Sequence, residues 1–287
     1  MNSRIIAKIN IDEKQIKSDL NSIKEFPFIS EEYSEFETGT WINNSLMNHD
    51  GDYKNTQYKD SDDPGIATQL WNQVPYITNL IKAKFNTSYL KMVRTRNLIN
   101  GIVIPHKDFV EFKKSDNNYV RIFIPLEDNL QAFHSDEHGV FRMQKGEVWI
   151  LNAAIVHAAA NFSTKSRVFL CLDFQLPNSE GPESIFLNKN MYSTNYTPNS
   201  KQRESLQNAN IDANLDKYSA TINKSNLKEI LIELSKIHFY YDANVADCYK
   251  WLISIAEKSK SSEILKSVKS LTDYMVNKRA FGERYIF

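Results

Sequence analysis

A mainly β chain with a sandwich or jelly-roll core, followed by a helical region, is the fold class the sequence predicts. Between Tyr89 and Phe174 six short β-rich runs follow one another: LKMVRTRN, GIVIPHKDFVEF, YVRIFIPLE, GVFRM, EVWILNAAIVHAA and RVFLCLDFQL. The 16 Phe and 14 Tyr are the supply that packed sheets draw on. Beyond residue 224 the apolar period becomes that of helices. Only 8 glycines is sparse for such a fold, against about 7% in average usage, so the fold does not rest on periodicity alone.

The first 46 residues open on an alternating stretch, Ile5, Ala7 and Ile9, and lead to a polar loop over 48–64 with a DDPG turn signal at 62–65. Leu70, Val74, Ile77, Leu80, Ile81 and Phe85 then recur at helical spacing. The six β-rich runs follow. Residues 186–224 are rich in Asn, Ser, Thr and Tyr without a clear period, which predicts an extended connection. After it, Leu227, Ile230, Leu231, Leu234, Ile237 and His238 share one helical face. So do Trp251, Leu252 and Ile255, and then Ile264, Val268, Leu271 and Met275. The chain therefore divides into a β domain with N-terminal helices over 1–185 and a connection plus helices over 186–287.

The 287 residues carry 35 Lys+Arg against 35 Asp+Glu, so no electrostatic footprint recommends nucleic acid or an acidic membrane as partner. A small molecule fits better, and a homodimer is admitted without being indicated. The longest apolar runs are strand-sized, far short of the roughly 20 residues of a membrane span. The N-terminal MNSRIIAKINIDEK has no apolar core of a signal peptide, and two cysteines in apolar surroundings make no disulfide framework. A reducing cytoplasm is the expected compartment.

Chemistry concentrates at His106-Lys107-Asp108. In a strand, residues i and i+2 face the same way, so imidazole and carboxylate would converge on one ion while Lys107 points away. A third donor must come from another strand, and His157 follows the apolar run EVWILNAAIV. Two His and one carboxylate leave open positions on a metal, the arrangement of non-haem Fe(II) oxygenases. A second H-x-D, His134-Ser135-Asp136, is flanked by a charged stretch that predicts a turn, whereas the first is embedded in apolar sequence. His157 has the competing role of a hydrogen-bonded core histidine.

Arg167 opens the next apolar run, ten residues after His157, where an antiparallel partner would carry it beside the metal pocket. A guanidinium there is costly to bury unless it meets an anion, and its planar fork suits the far end of a dicarboxylate. Arg121 projects with Phe123 from the face opposite Val120, Ile122 and Ile124, and Arg94 and Arg96 share a face. The competing role for each of these three is a surface arginine or an internal ion pair with Glu127 or Asp173, and for Arg94 and Arg96 the two roles weigh about equally.

On EEYSEF, VPYI, VRTRNLIN, IPHKDFVE, AFHSD, GEVWILNAAIVHAAANFS, SRVFLCLDF, LSKIHFYYD and KRAFGERY, the chain resembles the bacterial proline hydroxylases of the Fe(II)/2-oxoglutarate type, and among them the 3-hydroxylase group. The match runs from about residue 30 to the C-terminus. It implies a double-stranded β-helix (jelly roll) core with a helical C-terminal region. It implies Fe(II) held by His106, Asp108 and His157, 2-oxoglutarate bound through Arg167, and O2 as oxidant. Arg121 and His134 are candidates for the second end of 2-oxoglutarate, and Arg94 and Arg96 for the substrate carboxylate. The expected substrate is free L-proline, hydroxylated at C3 cis to the carboxylate. Competing expectations are cis-4-hydroxylation, another amino acid or peptide, or a catalytically silent β-barrel that binds metal or ligand. Asn152 stands where the resembling enzymes tend to carry Asp.

Overall fold

The computed structural model describes residues 3–27, 29–30, 34–59, 61–108, 118–280 and 283–287. All of FVEF after Asp108, the first half of EEYSEF and the FG pair of KRAFGERY lie outside the described residues.

Before the β-rich region come β1 (Arg4–Lys8), α1 (Glu13–Glu25), β2 (Ile29–Ser30), β3 (Thr40–Asn48), β4 (Ile66–Ala67) and α2 (Pro75–Lys84). α1 and β3 go beyond the sequence expectation. α1 begins where Asp12 accepts the Gln15 N–H at 2.8 Å, an N-cap, and it buries Ile16, Leu20 and Ile23 at helical spacing. The core strands are β5 (Leu90–Ile99), β6 (Gly101–His106), β7 (Tyr119–Pro125), β8 (Ala132–Asp136), β9 (Gly139–Phe141), β10 (Glu147–Ile150), β11 (His157–Asn161) and β12 (Val168–Gln175).

Two departures from the six predicted runs matter for the site. The EVWILNAAIVHAA run is two strands in different sheets, because Asn152 Oδ1 accepts the Ala154 N–H at 3.0 Å and turns the chain between them. An Asp at 152 would make the same turn. AFHSD, expected only to precede a turn, is itself the fully buried strand β8.

All pairings among the described strands are antiparallel, in a large sheet ordered β1-β10-β7-β12-β5-β3-β2 with β4 on β3, and a small one ordered β6-β11-β8-β9. From β5 to β12 the chain alternates between the sheets except at the β8–β9 hairpin, which makes the core a double-stranded β-helix. The crossover from β5 to β6 is tight. Asn100 adopts φ 46, and a Cβ on Gly101 would lie 1.9 Å from the Thr38 carbonyl oxygen, so only glycine lets β6 start there.

The outer face of the large sheet (Val93, Val120, Ile122, Ile124, Leu170, Leu172) packs on α1 and α2 in one hydrophobic cluster. The outer face of the small sheet (Ile102, Ile104, Phe133, Val140, Ala158, Ala160) packs on α3 (Ile211–Ser219), α4 (Leu227–Tyr240), α5 (Asp247–Lys258) and α6 (Ser262–Thr272) in another. α3 corrects the expectation of a purely extended connection: Ile211, Leu215 and Tyr218, at i, i+4 and i+7, join that cluster. The inner faces meet between the sheets and leave the cavity described below.

Each buried aliphatic side chain on the small sheet's outer face is worth about 1.5–3 kcal/mol against exposure, while a whole domain is stable by only ~5–15 kcal/mol. Deleting residues 225–287 is therefore expected to give insoluble protein, scored by the soluble fraction after expression. A soluble and fully active truncation would show instead that the helices are an independent module.

Candidate active site

β6 is an edge strand of the small sheet, which is why it tolerates Pro105, a residue with no N–H to give a ladder. The strand ends at His106, so Asp108 does not share its pleat. The sequence expectation that both donors sit in one strand is corrected here: they converge because the segment after the strand is pinned. Lys107 N–H donates to Met275 O at 3.0 Å and Asp108 N–H to Ala153 O at 2.9 Å. The Tyr249 hydroxyl donates to Pro105 O, and Arg279 Nη2 to Lys107 O at 3.2 Å. Met275 lies in a π-helical last turn, Asp273–Asn277, so a carbonyl at a helix end finds its donor in the segment that carries Asp108.

His157 on β11 is the cross-strand partner of His106, and the β11–β6 register slips between His157 and Ala159. A bulge of this kind re-aims side chains, and the two imidazole centroids lie 4.4 Å apart. Both rings place Nδ1 on the backbone carbonyl two residues earlier: His106 on Ile104 O at 2.8 Å, His157 on Ile155 O at 3.1 Å. With Nδ1–H donating, Nε2 carries the lone pair. His106 Nε2 is 3.4 Å from Asp108 Oδ1. Donor atoms of His106, Asp108 and His157 all fall within 4.8 Å of one another, which forms a metal-capable group among the described residues. Burial first, then the neighbouring His106 imidazole, pushes the His157 pKa down to about 4, so its imidazole is neutral and available as a ligand at pH 7.

The cluster opens into a cavity of about 180 Å³ between the sheets, whose lining includes Arg94, Arg96, Arg121, Arg167, Arg279 and His134. Arg167 precedes the first residue of β12, and its guanidinium lies 4.1 Å from the Phe169 ring centroid. Its Nε is buried with no hydrogen-bond partner among the described residues, and no carboxylate there pairs with it. Burial alone brings its pKa down to about 9. An uncompensated buried guanidinium is costly, and an anion would relieve it.

His134, on β8 beside β11, carries a buried Nε2 that also lacks a partner. Burial first, then the electrostatic influence of His157 and Arg167, holds its pKa well below the ordinary histidine value, so it is neutral and lies within electrostatic reach of both. The second H-x-D is thus in the site without its carboxylate: Asp136 accepts the His138 N–H at 2.8 Å and does not belong to the metal-capable group.

Arg121 and Arg94 lie behind this layer, tied to Asp173. Arg121 Nε donates to Asp173 Oδ1 and Arg94 Nη2 to Asp173 Oδ2, each at 2.7 Å. Of the two ion-pair partners the sequence offers, the structure uses Asp173; Glu127 instead accepts the Val168 N–H at 3.0 Å. Arg121 Nη1 also donates to Asp108 Oδ2 at 2.9 Å. Arg96 stands 5.3 Å from the Trp41 ring centroid. Sequence reasoning assigned nothing to Trp41, to the 56–58 segment or to Arg279, all of which line the cavity. KRAFGERY contains Arg279 and was a usable signal; Trp41 and the 56–58 segment have none, because each comes from a region without a motif.

The family model described as Aspartyl/Asparaginyl beta-hydroxylase matches residues 10–177, and the one described as L-proline 3-hydroxylase, C-terminal, matches 182–283. The chain is 35% identical to L-proline cis-3-hydroxylase 1 and 36% identical to L-proline cis-3-hydroxylase 2, both from Streptomyces sp, over 99% of this chain and 98% of each relative. It is 29% identical to L-proline cis-4-hydroxylase of Rhizobium meliloti (strain 1021), over 99% of both chains. A solved 2OG-Fe(II) oxygenase from Burkholderia pseudomallei is similar at 12% identity and a TM-score of 0.40, over 58% of this chain and 82% of that one.

Proposed function

The chain belongs to the bacterial proline hydroxylase family, and on that premise we propose that it is an Fe(II)/2-oxoglutarate-dependent dioxygenase that hydroxylates free L-proline at C3, cis to the carboxylate. The observation that carries the reading is the pairing, in one cavity, of a two-histidine, one-carboxylate donor set with an arginine whose buried Nε has no partner among the described residues.

The donor set fits Fe(II): two imidazole nitrogens and one carboxylate oxygen, with the hard and borderline character that non-haem iron takes. His106 and His157 offer Nε2 because their Nδ1 atoms are engaged. Asp108 offers Oδ1 because Arg121 occupies Oδ2. Fe(II) with 2-oxoglutarate and O2 supplies the oxidising power that replaces a substrate hydrogen by hydroxyl, while 2-oxoglutarate is decarboxylated to succinate. Arg167 holds the far carboxylate of 2-oxoglutarate by its fork, and His134, neutral and adjacent, gives that carboxylate a further polar partner.

Arg96, stacked near Trp41, takes the carboxylate of proline, with Arg94 bracing the segment at 56–58 from behind. Phe123, Met143, Leu151 and Phe169 keep the rest of the cavity apolar, which excludes water and holds the target C–H in place. No helix among the described residues is long and apolar enough to cross a membrane. Both cysteines are buried and free, which supports a reducing compartment, the cytoplasm.

The C3 position follows the cis-3 relatives, which share more identity with this chain than the cis-4 relative does. Moving the oxidation by one ring carbon needs a shift of only ~1.5 Å, a carbon–carbon bond length. The test is incubation with proline, Fe(II) and 2-oxoglutarate, followed by separation of the hydroxyproline isomers. cis-3-Hydroxyproline is the expected main product. 4-Hydroxyproline as main product would overturn the position, and succinate formation that does not depend on proline would overturn the substrate.

A further inference from the structure

Asp173 is fully buried in β12, the central strand between β7 and β5, and faces Arg121 directly across the β12–β7 ladder. Its two oxygens are shared out. Oδ1 accepts from Arg121 Nε at 2.7 Å and from the Tyr119 hydroxyl, and Oδ2 accepts from Arg94 Nη2 at 2.7 Å. Each arginine then reaches onward with a different nitrogen. Arg121 Nη1 donates to Asp108 Oδ2 at 2.9 Å, and Arg94 Nη1 donates to the Thr56 carbonyl at 2.9 Å. Thr56, Gln57 and Tyr58 line the cavity, and Tyr58 packs edge-on against Tyr119 at 5.2 Å between ring centroids.

We propose that Asp173 is a positioning residue for both halves of the site: through Arg121 it fixes which oxygen of Asp108 faces the two histidines, and through Arg94 it holds the 56–58 segment as a wall of the substrate pocket. The reason is the rigidity of the guanidinium plane. Pinning Nε of Arg121 on Asp173 fixes the direction of Nη1, so Asp108 has one oxygen occupied and the other turned to the imidazoles. Without the pin, Arg121 is a mobile cation that can take either oxygen of Asp108, or compete for the carboxylate of a ligand. The same pin on Arg94 fixes the Thr56 carbonyl, in a loop that Asn48 of β3 otherwise ties through the Asp52 and Asn55 carbonyls and Lys91 of β5 through those of Asp62 and Asp63. Arg167 has no link to Asp173, so the far end of 2-oxoglutarate lies outside this network.

This inference rests on the metal reading above, and its test separates the two. Co(II) affinity and the Co(II) absorption spectrum are measured for the full-length protein and its variants, together with the KM for proline. Asp173→Asn is expected to weaken Co(II) binding by about 10- to 100-fold, the usual effect of losing a partner that orients a ligand, to shift the Co(II) bands, and to raise the KM for proline. Arg121→Lys is expected to reproduce only the metal defect and Arg94→Lys only the KM defect. Should Asp173→Asn not fold, Tyr119→Phe keeps every charge and removes one hydrogen bond to Asp173, and is expected to weaken Co(II) binding by a few fold. A role in stability alone would lower the melting temperature while leaving the affinity, the bands and the KM of the folded fraction unchanged, and that result overturns the proposal. His106→Ala is the control: if it keeps Co(II), the metal reading itself fails; if it loses Co(II) while Asp173→Asn and Arg121→Lys keep it, only this proposal fails.

Discussion

Replacing His106, Asp108 or His157 by alanine is expected to abolish turnover and to remove tight Fe(II) binding, whereas His134→Ala keeps the metal. Each of the three contributes one atom to a group whose members lie within 4.8 Å of one another, so losing one leaves two donors and a metal site of much lower affinity. His134 is the sharper half of the expectation. It belongs to the other H-x-D, its ring centroid lies 6.1 Å from that of His157, and its Nε2 has no partner among the described residues. Its loss should therefore weaken 2-oxoglutarate binding and spare the metal. Metal content after dialysis, together with single-turnover succinate formation, distinguishes the variants. Iron lost from His134→Ala but retained by His106→Ala would mean that the metal belongs to the second motif.

Arg167→Lys is expected to raise the KM for 2-oxoglutarate by roughly 10- to 150-fold, the equivalent of ~1.5–3 kcal/mol for a hydrogen bond to a charged group. Three effects act in the same direction. Lysine lacks the fork that meets a carboxylate with two parallel bonds, and it loses the stacking of the guanidinium on Phe169. Burial that brings the Arg167 pKa down to about 9 acts on a lysine that starts near 10.4, which brings it toward neutrality and removes part of its charge at working pH. A lysine with a lowered pKa regains its charge as pH falls, so the KM defect should shrink at pH 6 relative to pH 8. Steady-state kinetics at the two pH values test both statements; a KM equal to that of the unmodified enzyme would refute the role of Arg167.

Much of this protein was legible in its sequence because local chemistry carried it. The β-rich runs have a two-residue alternation that only a sheet satisfies, and the helical faces beyond residue 224 recur where the structure puts α4, α5 and α6. Asp173 was visible as one of two partners for the arginines, though not as the one that takes them both. α1 was overlooked although its capping residue and its Ile16, Leu20, Ile23 spacing were readable.

By itself, then, the sequence determined the fold class, the helical C-terminal region and the residue types that a metal and a dicarboxylate need, because periodicity and donor chemistry are properties of short segments. Only the tertiary structure decided how those residues meet. Asp108 joins His106 through a segment pinned by Met275, Ala153 and Arg279, residues far away in the chain, and not through the pleat of one strand. Arg167 and His134 share a cavity with no ion-pair partner among the described residues, while Arg94 and Arg121, buried in the sheet, are both paired with Asp173. Which buried charge is compensated depends on what lies across the sheet and across the barrel, and those distances are set by packing of the whole chain rather than by any stretch of it.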